Sequence, residues 1–254
     1  MRRLRDWLFS IPFLIAFGII LVVFDVAQRV ARLFGQRPQE YVAGALQWTL
    51  VQAFRICGTH LTVDRSPLVQ PRTPYLIIAN HQSMFDIPIF GALLFTNFPK
   101  YVSKRSLARW IPSISYNLRR GGNALIDRND PEQAVAAIEE LAEQVKRRGV
   151  SAVIFPEGTR GRHGEIGKFR RRGALALLAA APEVAVVPVC VDQSWRLLRH
   201  NLTPVPFGVQ VHVWIGAPIA RQPDEDREAL LARVEAEIHA ALARLRGAAL
   251  SRAA

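Results

Sequence analysis

Trp7–Phe24 (WLFSIPFLIAFGIILVVF) is eighteen residues long without a charge, and no other feature of the chain limits its folds as much. As a helix it measures about 27 Å, close to the ~30 Å hydrocarbon thickness of a bilayer. Such a run is a membrane helix, a cleaved leader or the centre of a large core. Arg2, Arg3 and Arg5 precede it as they would a leader, but Asp25 and Gln28 follow with no A-x-A cleavage site. A second apolar stretch, Tyr41–Phe54, begins after the Gly35–Pro38 break, and its Gln47 and Gln52 suit an interfacial helix better than a spanning one. Arg29, Arg32 and Arg37 balance the three arginines in front, so flanking charge assigns no orientation. Equal flanks fit a hairpin dipping into one leaflet from the cytoplasm. Residues 1–58 are therefore expected to form a hydrophobic, membrane-associating helical hairpin. A buried core hairpin is the alternative.

Residues 59–254 read as one α/β domain, a sheet flanked by helices. Tyr75–Ala79, Asn123–Ile126, Ala152–Phe155 and Val184–Val191 are short apolar runs of the kind that form buried strands. Val209–Ile215 alternates, which predicts a half-exposed or edge strand. Pro131–Arg147 has Asp130 at its N-cap position and Gly149 as its stop. Asp226–Arg246 carries one apolar stripe and is expected to stop at Gly247, with 248–254 frayed. Strands alternating with helices imply a covered sheet.

Half of the 254 residues are hydrophobic and 21% are charged, which excludes collagen-like, disulfide-stapled and wholly disordered chains. The 33 basic against 21 acidic residues leave +12, which favours acidic partners such as anionic lipid headgroups. Cys57 and Cys190 stand alone among apolar residues and read as buried hydrophobes of a reducing compartment. No helix-turn-helix, zinc-finger or RNA-binding signature is present, so nucleic acid is not an expected partner.

Two expected strands end in polar, specific sequence, and ligands of open α/β sheets gather at the carboxyl ends of strands. After Tyr75–Ala79 comes Asn80-His81-Gln82-Ser83-Met84-Phe85-Asp86; after Ala152–Phe155 comes Pro156-Glu157-Gly158-Thr159-Arg160. An imidazole takes a proton from a hydroxyl near neutral pH, and a carboxylate on its other nitrogen fixes the tautomer. Residues five apart lie about 140° apart on a helix, so His81 and Asp86 meet only if the segment bends between them. Otherwise the histidine caps a turn and the aspartate caps a helix. The second block opens a basic, glycine-rich stretch (Arg160, Arg162, Lys168, Arg170, Arg171, Arg172) that suits an anion, or is simply a solvated loop. No G-x-S-x-G elbow and no metal-ligand spacing occur, so neither a hydrolase nucleophile nor a metal is expected. A His–Asp pair without a protein nucleophile points to direct deprotonation of a substrate hydroxyl.

Together, N-H-x4-D at 80–86 and F-P-E-G-T-R at 155–160, about 70 residues apart, resemble the signature of the glycerolipid acyltransferases, of the bacterial 1-acylglycerol-3-phosphate O-acyltransferase type. The resemblance extends from about Thr59 to Ile219. It implies that His81 is the general base, oriented by Asp86, on the acceptor hydroxyl. The hydroxyl attacks acyl-CoA or acyl-carrier protein, a co-substrate rather than a cofactor, and gives phosphatidic acid. Glu157, Gly158, Thr159 and Arg160 resemble the acceptor-binding block, with Arg160 on the phosphate. Arg128 and Lys104 are similar to further phosphate ligands, although Ala124, Leu125 and Ser106 depart from the usual blocks. Val187-Pro188-Val189 matches a fourth block and is expected to serve strand packing. Another lysophospholipid or a lyso-aminolipid is the alternative acceptor, and a non-catalytic basic membrane-surface protein is the alternative from another class. The implied location is the cytoplasmic face of the cell's inner membrane.

Overall fold

The computed structural model describes residues 2–251 except 202 and 223. The chain runs α1 (Arg2–Leu33), α2 (Gln36–Ala53), β1 (His60–Arg65), β2 (Leu76–Ala79), α3 (Asp86–Leu93), β3 (Pro99–Lys104), α4 (Ile114–Arg120), β4 (Ala124–Ile126), α5 (Pro131–Arg148), β5 (Ser151–Ile154), α6 (Arg171–Ala180), β6 (Val186–Asp192), β7 (Gln210–Ile215) and α7 (Arg227–Ser251).

The strands form one seven-stranded sheet in the order β1-β7-β6-β2-β5-β3-β4. The five strands from β6 to β4 are mutually parallel, and β7, with β1 parallel to it, runs the other way. All five parallel strands therefore deliver their carboxyl ends to one edge. The strand runs recognised in the sequence form β2, β4, β5, β6 and β7. As expected, β7 is half exposed; it is not at an edge, because β1 pairs beyond it. Two strands carry too little apolar sequence to stand out, β1 (HLTVDR, mostly exposed) and β3 (PKYVSK).

Alternation along β2 divides the core. Tyr75, Ile77 and Ala79 face Phe13 of α1, Phe54 beyond α2, and Phe85, Ile89 and Phe90. Leu76 and Ile78 face the other way, toward Leu141 of α5, Leu177 of α6 and Leu231 of α7. The sheet is thus covered on both faces, as its continuous apolar strands require. Asp130 caps α5 by accepting the Gln133 amide at 3.0 Å, and Gly149 ends it at φ 61°. One expectation needs correction: α7 continues through Gly247 to Ser251. The expected fraying at 252–254 lies outside the described residues.

The N-terminal segments do form two helices, turning at Gly35, whose φ of 121° only glycine adopts freely. They are also built into the domain. Phe13, Ala53 and Phe54 belong to the sheet's own core, and α2 buries Leu46, Gln47 and Leu50. The helix α1 is long and apolar enough to cross a membrane. Its outward face, Leu8, Ile11, Ile15, Ile19, Val22 and Val26, is more than half exposed.

Candidate active site

The loop after β2 turns back on itself before α3. Because His81 lies in that loop and Asp86 opens the helix, the two meet despite their spacing: His81 Nδ1 is 2.8 Å from Asp86 Oδ2. The same Oδ2 accepts the backbone N–H groups of Gln82 (2.7 Å) and Ser83 (2.8 Å), and Oδ1 accepts the Ser194 hydroxyl at 2.5 Å. Asp86 is wholly buried. Its carboxylate accepts two backbone amides and a hydroxyl, and an ionised carboxylate can only accept from the imidazole as well. That requires the imidazole proton on Nδ1 and leaves the Nε2 lone pair free. The ring is 16% exposed and stacks on Phe155, with centroids 4.1 Å apart and 19° between planes. Among the described residues no hydroxyl or thiol hydrogen-bonds this imidazole. Both thiols are buried, and burial pushes Cys57 up to about 11 and Cys190 up to about 12. Neither is a thiolate near neutral pH.

Glu157 is buried, with both carboxylate oxygens engaged by backbone amides. Its Oε1 accepts the His81 amide at 2.7 Å and its Oε2 the Gly167 amide at 2.6 Å. Burial raises its pKa, against the pull of those two amides. A further backbone bond runs from the Gly161 N–H to the His81 carbonyl at 2.6 Å. The block after β5 is thereby stitched to the loop after β2. Gly158 turns at φ 66°, and the Arg170 side chain lies across it, close enough that a Cβ there would meet Arg170 Cδ at 3.3 Å.

Sheet order sets out the remaining residues. Going outward from β2, the strands are β5, β3 and β4. Their carboxyl ends present in turn Glu157–Arg160, Lys104 and Arg128. Lys104 pairs in register with Ile126, two residues before Arg128. Thr159, Arg160, Lys104, Arg128 and Arg170 are all exposed, and Gly158 is half-buried. Partial burial and the guanidiniums of Arg170 and Arg160 push the Arg128 pKa down. Clustered cations that repel one another favour an anion between them. The Arg162 side chain lies outside the described residues.

Several residues that shape the site were not legible. Asn80 bridges β2 to β6 through two 2.8 Å bonds with the Val191 backbone. Arg246 of α7 donates to the Gly164 carbonyl at 2.6 Å and approaches Asp192 at 3.4 Å, where Gln82 also reaches. Ser194, Asp192 and Arg246 lie over 100 residues from His81 in sequence, and only the sheet brings them near. Asn80 and Gln82 flank His81 within the recognised block, which was their one signal.

A covered, mostly parallel sheet thus gathers along one carboxyl edge an imidazole held by a buried carboxylate and a group of exposed arginines. The acyltransferase family model matches residues 60–192, more than half of the chain and all of this edge between β1 and the end of β6. The chain belongs to the acyltransferase family. The 1-acyl-sn-glycerol-3-phosphate acyltransferase of Escherichia coli K12 is 29% identical over 197 residues, 77% of this chain and 76% of that protein. The coconut protein of the same name is 30% identical over 159 residues, 61% of this chain and 49% of its own length. That of Salmonella typhimurium is 34% identical over 126 residues, half of each chain. This chain thus spans about half the length of several relatives. In fold it is similar to the crystal structure of the 1-acyl-sn-glycerophosphate acyltransferase PlsC from Thermotoga maritima, with a TM-score of 0.79, 21% identity, and coverage of 97% and 98% of the two chains. The sheet flanked by helices is the fold expected from the sequence.

Proposed function

We propose that the chain transfers an acyl group from a soluble thioester, acyl-CoA or acyl-carrier protein, to the free hydroxyl of 1-acylglycerol-3-phosphate, giving phosphatidic acid. The observation that carries this reading is the imidazole fixed at Nδ1 by Asp86, with Nε2 free, on the same sheet edge as the Arg128–Arg160–Arg170 cluster. Nε2 accepts the hydroxyl proton as the oxygen attacks the thioester carbonyl. The C–S bond then breaks, and the proton passes from the imidazolium to the leaving thiolate. Asp86 stabilises the imidazolium between those steps. Arg160, with Arg128 and Lys104 beside it, holds the acceptor phosphate, and bidentate guanidinium contacts suit that dianion. Glu157 serves as a positioning residue that fixes His81 from behind. The names of the relatives support the choice of acceptor.

The membrane side of this reading rests on α1, whose pattern is inverted. Four of its polar side chains turn inward: Ser10 and Asp6 bond the backbone at Val205 and Phe207, and Asp25 and Gln28 bond Ser113. The exposed Arg3, Arg5 and Arg29 lie toward its ends. Its aliphatic face looks outward. A helix that keeps these polar groups for the protein and offers its apolar ones outside suits an apolar surrounding. Residues 1–58 then anchor the enzyme in one leaflet, at the cytoplasmic face where the soluble donor is found. A mass-spectrometric acceptor panel with one labelled acyl donor tests the reading. Phosphatidic acid should be the dominant product, and a faster reaction with a neutral or amino-headgroup lysolipid would contradict the phosphate assignment.

A further inference from the structure

The β3–α4 loop takes no part in the chemistry above, yet it holds Trp110, which is 95% exposed, more than any other large apolar side chain among the described residues. Leu107 and Ile111 are exposed beside it, and so are Arg105 and Arg109. The loop is firmly held. Ser113 donates its amide to Asp25 Oδ1 at 2.6 Å and its hydroxyl to the Leu21 carbonyl at 2.8 Å, while Gln28 reaches its carbonyl at 3.3 Å. Ser115 Oγ accepts the Ile111 amide, and Arg119 donates to the Ala108 carbonyl. Trp110 and Ser113 sit at φ 69° and 61°, a region that a bulky residue occupies only when its surroundings impose it. The backbone thus presents a tryptophan outward at a cost in both strain and hydration.

Two observations identify what covers it. The loop is pinned through Ser113 to Leu21, Asp25 and Gln28 of α1, which neighbour the outward aliphatic positions Val22 and Val26 in sequence. Its charged members are cations, and tryptophan beside arginine is the composition that membrane–water interfaces select. We propose that residues 105–112 are a second membrane-docking element. Trp110, Leu107 and Ile111 enter the headgroup–acyl boundary of an anionic leaflet, and Arg105 and Arg109 meet lipid phosphates. The inference rests on the reading that the outward face of α1 lies in lipid. It places Lys104, the last residue of β3, in the headgroup plane, so that an acceptor phosphate reaches the sheet edge without leaving the interface.

The test uses the full chain with Trp110→Cys carrying an environment-sensitive fluorophore, and Val22→Cys labelled likewise; the buried Cys57 and Cys190 do not compete. Vesicles of phosphatidylcholine with about one-third phosphatidylglycerol carry nitroxides at the headgroup or deeper in the chain. Both labels should be quenched, that at 110 more strongly by the shallow nitroxide, and Trp110→Ser should weaken vesicle binding roughly tenfold. Quenching at 22 with a water-like, unquenched label at 110 would overturn the loop proposal while leaving the α1 reading intact. Quenching at neither position would overturn both. A response at 110 that follows protein concentration without vesicles would assign the loop to a second copy of the chain and overturn it as well.

Discussion

Each oxygen of Asp86 has its own donors: Oδ2 takes the imidazole and two backbone amides, and Oδ1 takes the Ser194 hydroxyl. In the proposed mechanism Ser194 acts only through the carboxylate. Ser194→Ala should lower kcat about tenfold, the worth of one hydrogen bond to a charged group, and leave the acceptor KM near its original value. A parallel loss of folding stability and of both KM values would make Ser194 a packing residue instead. Arg160 differs in kind, since it is exposed and has neighbours of its own sign. Arg160→Lys keeps the charge and removes the fork, so the acceptor KM should rise while the donor KM moves little. Equal changes in both would assign the arginine to the donor or to the loop. His81, Asp86 and Arg160 were legible because they stand in two short blocks of specific sequence. The Ser194 contact was not, since 108 residues separate it from Asp86 and no local pattern marks a serine after a strand.

At the scale of elements, α2 is fastened to β3 and α5 through one buried carboxylate. Glu40 lies 2.9 Å from Lys100, 2.6 Å from Arg148 and 3.2 Å from Arg37. Removing the single anion among three cations should be severe, and Glu40→Gln is expected to cost about 3–5 kcal/mol, read from denaturant unfolding. Burial, helped by Arg148 and Arg37 and opposed by Glu40, lowers the Lys100 pKa to about 8 from 10.5. Between those two values the unfolded chain binds the extra proton, so this group makes stability rise as pH climbs from about 8 to 10.5. Lys100→Met should flatten that rise relative to the parent protein; an unchanged slope would contradict the burial argument. This junction also marks a limit of sequence reading. PKYVSK begins with proline and lysine, too polar for a buried strand by pattern, and β3 survives in the sheet interior because Glu40 neutralises Lys100. Runs such as LIIA and SAVI needed no such help and were readable as strands.

For the whole molecule, the sheet gathers the candidate site residues on one edge, while α1 and the Trp110 loop leave apolar surface exposed. The hairpin was legible as hydrophobic, but its sequence does not reveal that Phe13 and Phe54 complete the sheet's own core. Deleting residues 1–58 should therefore unfold the domain rather than release it, and the anchor has to be tested in the intact chain. With so much aliphatic surface outward, high salt should weaken liposome flotation without abolishing it; complete release by salt would mean that arginines alone bind the membrane. The central claim, that His81 is the base for acyl transfer to a membrane-borne phosphate acceptor, is tested most directly by one rate. It is the turnover of His81→Ala, bound to vesicles containing 1-acylglycerol-3-phosphate and supplied with labelled acyl thioester, against the parent chain at equal surface density. The account predicts a fall of at least ~10²–10⁴-fold with the circular dichroism unchanged, and a folded His81→Ala that turns over near the parent rate would contradict it.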